Sequence, residues 1–238
     1  MKIKRLMRSW ADRAGLAYTE LLARREYSTQ QFIAVNERPV EYRFVFEHLT
    51  RACPRTVLDV GTGATALPHL MRSCGFLVTA IDNIRDYWPS GMINRHYYVI
   101  HDDITRTAMK GSFDFITCVS VLEHIREHRA AMRSMLSLLN PGGHLVVTFP
   151  YNESRYIPNV YEYPGSGVRE RPAFITQAFS RVEVGTWLAG GEGELLEQEY
   201  WQFFTGEVWT CGERICPPVR TSGAGPHQIT CLLIRKIK

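Results

Sequence analysis

The sequence predicts an α/β fold on a mainly parallel sheet, and three observations carry that prediction. Five short runs rich in apolar and β-branched residues, Thr56–Val60, Phe76–Ile81, Tyr97–His101, Phe113–Val119 and His144–Phe149, alternate with helical segments or turn clusters. The first run ends on Gly61-Thr62-Gly63, where missing side chains permit positive φ and let a ligand approach the backbone. Ahead of the last run, Glu123–Leu139 places Ile125, Ala131, Met132, Met135, Leu136 and Leu139 on one helical face and is broken by Asn140-Pro141-Gly142-Gly143.

Length and composition bound the remainder. A chain of 238 residues with 45% hydrophobic and 22% charged residues has enough apolar material for one domain with a real core. The expected division is an N-terminal helical cover (1–50), a ligand-binding core (56–150) and a substrate loop with closing strands (151–238). A formal charge of +4, with Lys and Arg concentrated in the first 25 residues, is too weak a basic signal for a nucleic-acid partner. No signal-peptide core and no run of 18 apolar residues is present, so no transmembrane segment is expected and the location is read as cytoplasmic. The six cysteines form no C-x-x-C pair, which reads as reduced structural thiols and no metal site.

In chain order, residues 1–25 read as a basic amphipathic helix. Asn36–Leu49 reads as a packing helix with Glu37, Arg38 and Glu41 as surface charges. After Phe149 the sequence turns rich in Tyr, Arg, Pro and Gly and reads as a long loop over a site. Ser180 and Glu183 form a capping box opening a short helix to about Ala189, halted by Gly190-Gly191. Leu195–Phe204 and Thr230–Ile234 read as closing strands.

Two cofactors compete for the glycine turn. Gly61, Gly63 and Ala66 with Asp82 nineteen residues beyond Gly63 satisfy a dinucleotide fingerprint, so an NAD-dependent oxidoreductase is one candidate. Against it, Asp59 stands two residues before Gly61, where its charge opposes a pyrophosphate and suits an ammonium group. Asp102-Asp103 closes the third run, where a carboxylate can accept from an adenine amino group.

With FDFITCVSVLEHI and LNPGGHLVVTFP following in order, the stretch Val57–Pro150 resembles the class I S-adenosylmethionine-dependent methyltransferases. The resemblance implies a Rossmann-like three-layer α/β/α sandwich whose seven-stranded, mostly parallel sheet ends in an antiparallel strand, with Thr230–Ile234 at the edge. It implies that Asp59, Gly61 and Gly63 cradle the methionine part of S-adenosylmethionine. It further implies that Asp82, with Asn83 beside it, binds the ribose, that Asp103 and Ile104 contact the adenine, and that the segment from Ser120 to His124 borders the transfer site. The helix at Asn36–Leu49 is then similar to a segment covering the cofactor cleft in some bacterial members. Thr65 departs from the pattern, standing where a third glycine is common, and Thr disfavours positive φ.

Methyl transfer from a sulfonium is an in-line displacement, so alignment is the protein's first task. A hydroxyl acceptor calls for a general base; His124 is the first choice, with Glu123 orienting substrate or imidazole. Tyr151, Arg155 and Tyr156 offer flat faces, hydroxyl tips and a guanidinium suited to a small polar molecule or saccharide, and Arg169 and Arg171 suit a phosphate or carboxylate. O-methylation of such an acceptor, yielding S-adenosylhomocysteine, is the expected reaction. A methyltransferase-like scaffold without catalysis is the non-enzymatic alternative.

Overall fold

The computed structural model describes residues 2–32, 35–84, 94–168 and 174–238. Arg169 and Arg171 lie outside the described residues. The chain divides into two compact units, Met1–Val35 and Asn36–Lys238. The first contains helix α1 (Lys2–Thr29), which runs past the expected end at residue 25 and carries an i,i+4 ion pair between Arg24 and Glu20 at 2.7 Å. Its Leu6, Trp10 and Leu16 side chains are exposed. Among the described residues no helix is long and apolar enough to cross a membrane.

The second unit is built on one sheet. Its helices are α2 (Arg38–Ala52), α3 (Leu67–Ser73), α4 (His128–Leu138) and α5 (Arg181–Leu188). Its strands are β1 (Thr56–Val60), β2 (Leu77–Asp82), β3 (Ile100–His101), β4 (Phe113–Val119), β5 (Leu139–Pro150), β6 (Gly193–Phe204), β7 (Arg214–Thr221) and β8 (Ile229–Lys236). They lie in the order β3-β2-β1-β4-β5-β8-β6-β7. The first five pair in parallel, and β8 runs antiparallel to both β5 and β6.

Period-two alternation along the strands divides the core into two layers. Val57, Phe115, Val146 and Leu233 face one side, packing with Val40, Phe44, Val45 and Leu49 of α2 and Leu67 and Met71 of α3. Leu58, Ile116, Val147 and Leu232 face the other, with Ala131, Met132, Met135 and Leu136 of α4 and Trp187 of α5. Helices therefore cover both faces, giving the three-layer sandwich expected. Pro39 in the first turn of α2 fits a helix start, where a missing N–H costs nothing. The helix ends at Cys53 in the left-handed conformation, whose N–H closes on the Leu49 carbonyl.

The structure revises several expectations. The sheet has eight strands rather than seven, and β8 lies between β5 and β6 while β7 takes the edge. Strand β7 escaped the sequence reading because Pro217 and Pro218 interrupt it; proline cannot donate to a ladder and is tolerated on an edge strand. The run Tyr97–His101 reduces to the two residues of β3. The helix expected from Glu123 begins only at His128, preceded by a 3-10 turn at Leu122–His124. Gln177 explains the delay: its backbone N–H takes the Glu123 carbonyl at 2.9 Å and its Nε2 donates to the Ile125 carbonyl at 2.9 Å, diverting acceptors a helix would need. The segment after β5 is ordered through bridges pairing Tyr151 with Phe179 and Ile157 with Ala178, over a satellite core of Ile157, Val160, Ala178, Val208 and Cys211. The capping box at Ser180 and Glu183 is present and opens α5 as expected.

Candidate active site

Strand order reverses between β1, which leads outward to β2 and β3, and β4, which starts the other half of the sheet. Such a switch point opens a crevice beyond the carboxyl ends of the strands. A cavity of about 560 Å³ lies there, bounded by Val60–Thr65 after β1, Asp82 and Asn83 after β2, Asp102–Thr105 after β3, Ser120, Val121 and His124–Glu127 after β4, and Arg38 of α2.

The glycine turn forms the floor. Gly61 and Gly63 have φ of +73° and +57°, and the N–H groups of Gly61 and Thr62 both donate to the Ile81 carbonyl. A Cβ on Gly61 would stand 2.3 Å from a methyl of Val121, so the backbone there is sealed by a side chain from the turn after β4. Thr65 needs no left-handed conformation: the only described non-glycine residues at positive φ are Cys53, Ser120 and Thr210. Its hydroxyl instead donates to the Thr62 carbonyl at 2.9 Å. Asn94 braces the turn from outside, donating to the carbonyls of Gly63 and Thr65 at 2.8 and 2.9 Å.

The acids of the sequence reading separate into two groups. Asp82 faces the cavity, its Oδ2 accepting from the Gly63 N–H at 2.6 Å; burial outweighs this bond and raises its pKa. Asn83 beside it has a buried Oδ1 with no hydrogen-bond partner among the described residues. Asp59, by contrast, lies beneath the turn, 2% exposed, and gives both oxygens to hydroxyls, accepting from Thr62 at 2.7 Å and Thr117 at 2.6 Å. Burial, opposed by those two bonds, pushes it up to about 6. Its place is that of a buttress for the turn, outside the main cavity's lining.

Asp102 and Asp103 border the cavity, but their carboxylates build the loop. Asp103 accepts from the Thr105 N–H at 3.0 Å, the Thr105 hydroxyl at 2.7 Å and Arg106 Nε at 3.0 Å. Burial, which raises the acid, is outweighed by these bonds, and Asp103 is held below the usual carboxylate range. Asp102 accepts from the Thr107 hydroxyl and the N–H groups of Asp103 and Ala108. Ile104, between these ligated acids and Thr105, supplies an apolar surface to the cavity.

The opposite wall is the turn after β4. Ser120 has φ +51°, and its hydroxyl donates to Glu41 Oε1 at 2.5 Å. His124 lines the cavity, with Nδ1 2.8 Å from the Ile175 carbonyl and its ring edge-on to Phe174 at 4.7 Å. A carbonyl only accepts, so Nδ1 carries the proton and Nε2 keeps its lone pair. Burial lowers the His124 pKa against the raising effect of that bond, leaving a neutral imidazole at pH 7. Glu123 lies 3% exposed, with Oε1 3.9 Å from His124 Nε2 and Oε2 unpartnered among the described residues. Burial pushes its carboxyl up to about 8.

Tyr151, Arg155 and Tyr156 are not among the cavity's lining residues. Strand β5 continues to Pro150, and the bridge to Phe179 carries Tyr151 into the core against Phe149, Tyr200 and His227. Arg155 pairs with Glu207 at 2.8 Å on the surface, and the Tyr156 hydroxyl donates to Gln177 at 2.5 Å. Sequence reasoning missed Asn94 and the depth of Glu41, which is fully buried and not a surface charge. A signal for Glu41 existed: it shares the buried face of α2 with Phe44, Val45 and His48 at i+3, i+4 and i+7.

Comparison with known proteins agrees with this geometry. A family model described as a methyltransferase domain matches residues 31–205. A ubiquinone biosynthesis O-methyltransferase from Xanthomonas euvesicatoria is 34% identical over 117 residues, 46% of this chain and 48% of that protein. The chain thus spans about half the length of the curated relatives it matches. Among solved structures, the 1,6-didemethyltoxoflavin-N1-methyltransferase of Burkholderia thailandensis, with bound 1,6-didemethyltoxoflavin and S-adenosylhomocysteine, shares the fold at TM-score 0.54 and 16% identity, covering 95% of this chain and 87% of that one. An N-methyltransferase from Bradyrhizobium japonicum in complex with S-adenosylhomocysteine shares it at TM-score 0.51 and 17% identity, covering 85% and 88%.

Proposed function

The chain belongs to the methyltransferase-domain family, and from that premise we propose that it is an S-adenosylmethionine-dependent enzyme that methylates a hydroxyl group of a small organic molecule. The observation that carries the reading is the charge of the crevice. Among the described lining residues, the acids Asp82, Asp102, Asp103 and Glu127 outnumber the bases Arg38 and Arg126, with Arg106 outside the lining paired to Asp103. This balance favours a cofactor with a sulfonium and an ammonium group over a dinucleotide with a pyrophosphate.

The residues present fit that cofactor. Gly61 and Gly63 hold positive φ at the cavity floor, and Val121 packs so closely on Gly61 that no Cβ fits there. Asp82 and the unpartnered Oδ1 of Asn83 are acceptors for ribose hydroxyls, and Ile104 with the Asp103 backbone offers a flat edge for adenine. Ser120 closes the methionine end.

When bound, S-adenosylmethionine supplies a methyl group on a positively charged sulfur. His124 supplies the base: Nδ1–H is pinned to the Ile175 carbonyl, and Nε2 takes the proton of the acceptor hydroxyl. Glu123, whose Oε1 stands 3.9 Å from Nε2, borders the imidazole as a neutral carboxyl and helps fix the position of the ring. An oxygen acceptor is supported by the O-methyltransferase names of the relatives. No sugar-specific contact is assigned, because Tyr151, Arg155 and Tyr156 stand outside the lining.

Calorimetric titration with S-adenosylhomocysteine beside NADH tests the cofactor. Binding of the first alone is expected; binding of NADH alone would return the chain to oxidoreductase chemistry, and binding of neither would favour a scaffold.

A further inference from the structure

Glu41 has more partners than a packing helix requires. Its side chain is fully buried, and its Oε1 accepts from the Ser120 hydroxyl at 2.5 Å and the Thr148 hydroxyl at 2.7 Å. Its Oε2 accepts from Arg38 Nη1 at 2.9 Å, and that nitrogen also donates to the Val119 carbonyl at 3.2 Å. One carboxylate therefore joins α2 to the ends of β4 and β5. Ser120, the residue it grips, has φ +51°, a left-handed conformation that a side chain makes unfavourable and that glycine adopts freely. Its backbone N–H is held as well, donating to the Thr148 carbonyl at 3.1 Å. The next residue, Val121, seals Gly61, and three residues further His124 reaches the cavity.

We propose that Glu41 is a positioning residue for the transfer site: its buried carboxylate clamps Ser120 in the left-handed conformation, which sets Val121 over the glycine turn and His124 at the cavity wall. The role rests on the methyltransferase reading above. It makes α2 part of the frame of the site. Charge, and not only shape, matters in the clamp, because one group must accept from two hydroxyls and a guanidinium at once. A residue acting only through bulk stability would weaken everything equally; a clamp acts through the conformation of Ser120.

The test is a double-mutant cycle on the full chain, read as affinity for S-adenosylhomocysteine by calorimetry, with thermal unfolding recorded alongside. Glu41→Met keeps the volume and removes every acceptor, and it should weaken binding about tenfold, the cost of one unfavourable left-handed residue. In the Ser120→Gly background, where that conformation needs no clamp, the same change should cost less than about threefold. Equal costs in both backgrounds would overturn the proposal. If Glu41→Met does not fold, Glu41→Gln is carried through the same cycle: its cost must shrink in the Ser120→Gly background, and an equal cost in both backgrounds refutes the clamp. A wild-type chain that binds no S-adenosylhomocysteine sinks the cofactor reading and the positioning role with it, whereas wild-type binding with additive costs sinks the clamp alone.

Discussion

Substituting Gly61 by alanine puts the cofactor cradle under the most direct test. An added Cβ would stand 2.3 and 2.4 Å from the two methyls of Val121 and 2.8 Å from its Cβ. Valine is branched at Cβ and has few rotamers to yield, so the turn after β4 must move. Two penalties add: φ of +73° costs an alanine about 1–2 kcal/mol, and overpacking costs about 1–3 kcal/mol. Since the clash and the left-handed residue both sit at the cavity floor, we expect affinity for S-adenosylhomocysteine to fall at least about thirtyfold, equivalent to about 2 kcal/mol. The three nearest atoms all belong to Val121, so Gly61→Ala with Val121→Ala should recover the steric share and keep the backbone share. Calorimetry on Gly61→Ala, Val121→Ala and the double variant, with thermal unfolding as a control for global damage, separates the two terms. Unchanged affinity in Gly61→Ala would refute the cradle, and a double variant no better than the single would refute Val121 as its seal.

Three further outcomes follow from the same geometry. Asp82→Asn should weaken S-adenosylhomocysteine by about tenfold, and wild-type binding should decline as pH falls through the raised Asp82 pKa, because the ionised carboxylate is the acceptor; pH-dependent calorimetry checks both. His124→Ala should leave that binding within about twofold and slow turnover by about a hundredfold or more. Wild-type rate should fall only as pH drops below His124's lowered pKa, and an identical profile in the variant would reject the base. Glu123 has a folded pKa of about 8 against an ordinary 4.5, so its stabilising contribution is complete below 4.5 and lost as pH rises through 8. With about 5 kcal/mol as the ceiling for that loss, Glu123→Gln should melt higher than wild type at pH 8 and nearly with it at pH 4; melting curves that stay parallel at both values would contradict a buried neutral Glu123.

The parts of the site legible in the sequence were those fixed by local spacing. The glycine turn after β1 and the acid ending β2 could be read because backbone freedom at Gly61 and the length of one βαβ unit leave little choice. What a side chain touches across the fold was not legible. Asp59 reads as a ligand by type, yet Thr62 and Thr117 take both its oxygens, and Thr117 is 58 residues away. Tyr151 reads as a binding ring, but aromatic rings are also good core material, and the bridge to Phe179 decides for the core. The late start of α4 depends on Gln177, whose amide competes for carbonyls more than fifty residues earlier. Glu41 lay between these cases: its place on the apolar face of α2 was visible, and its partners were not.

The two margins of the sheet have a consequence for association. Any open sheet ends in strands with unpaired backbone groups, which invite an extended segment of another molecule to add on. Here one margin is β3, only two residues long, too short a template for such an addition. The other is β7, where the consecutive Pro217 and Pro218 remove N–H donors from a strand whose backbone groups alternate between β6 and the open side, and Arg214 and Arg220 place charge along the rim. The strand that interrupts the apolar pattern thus makes a poor template for strand addition at that margin of the sheet.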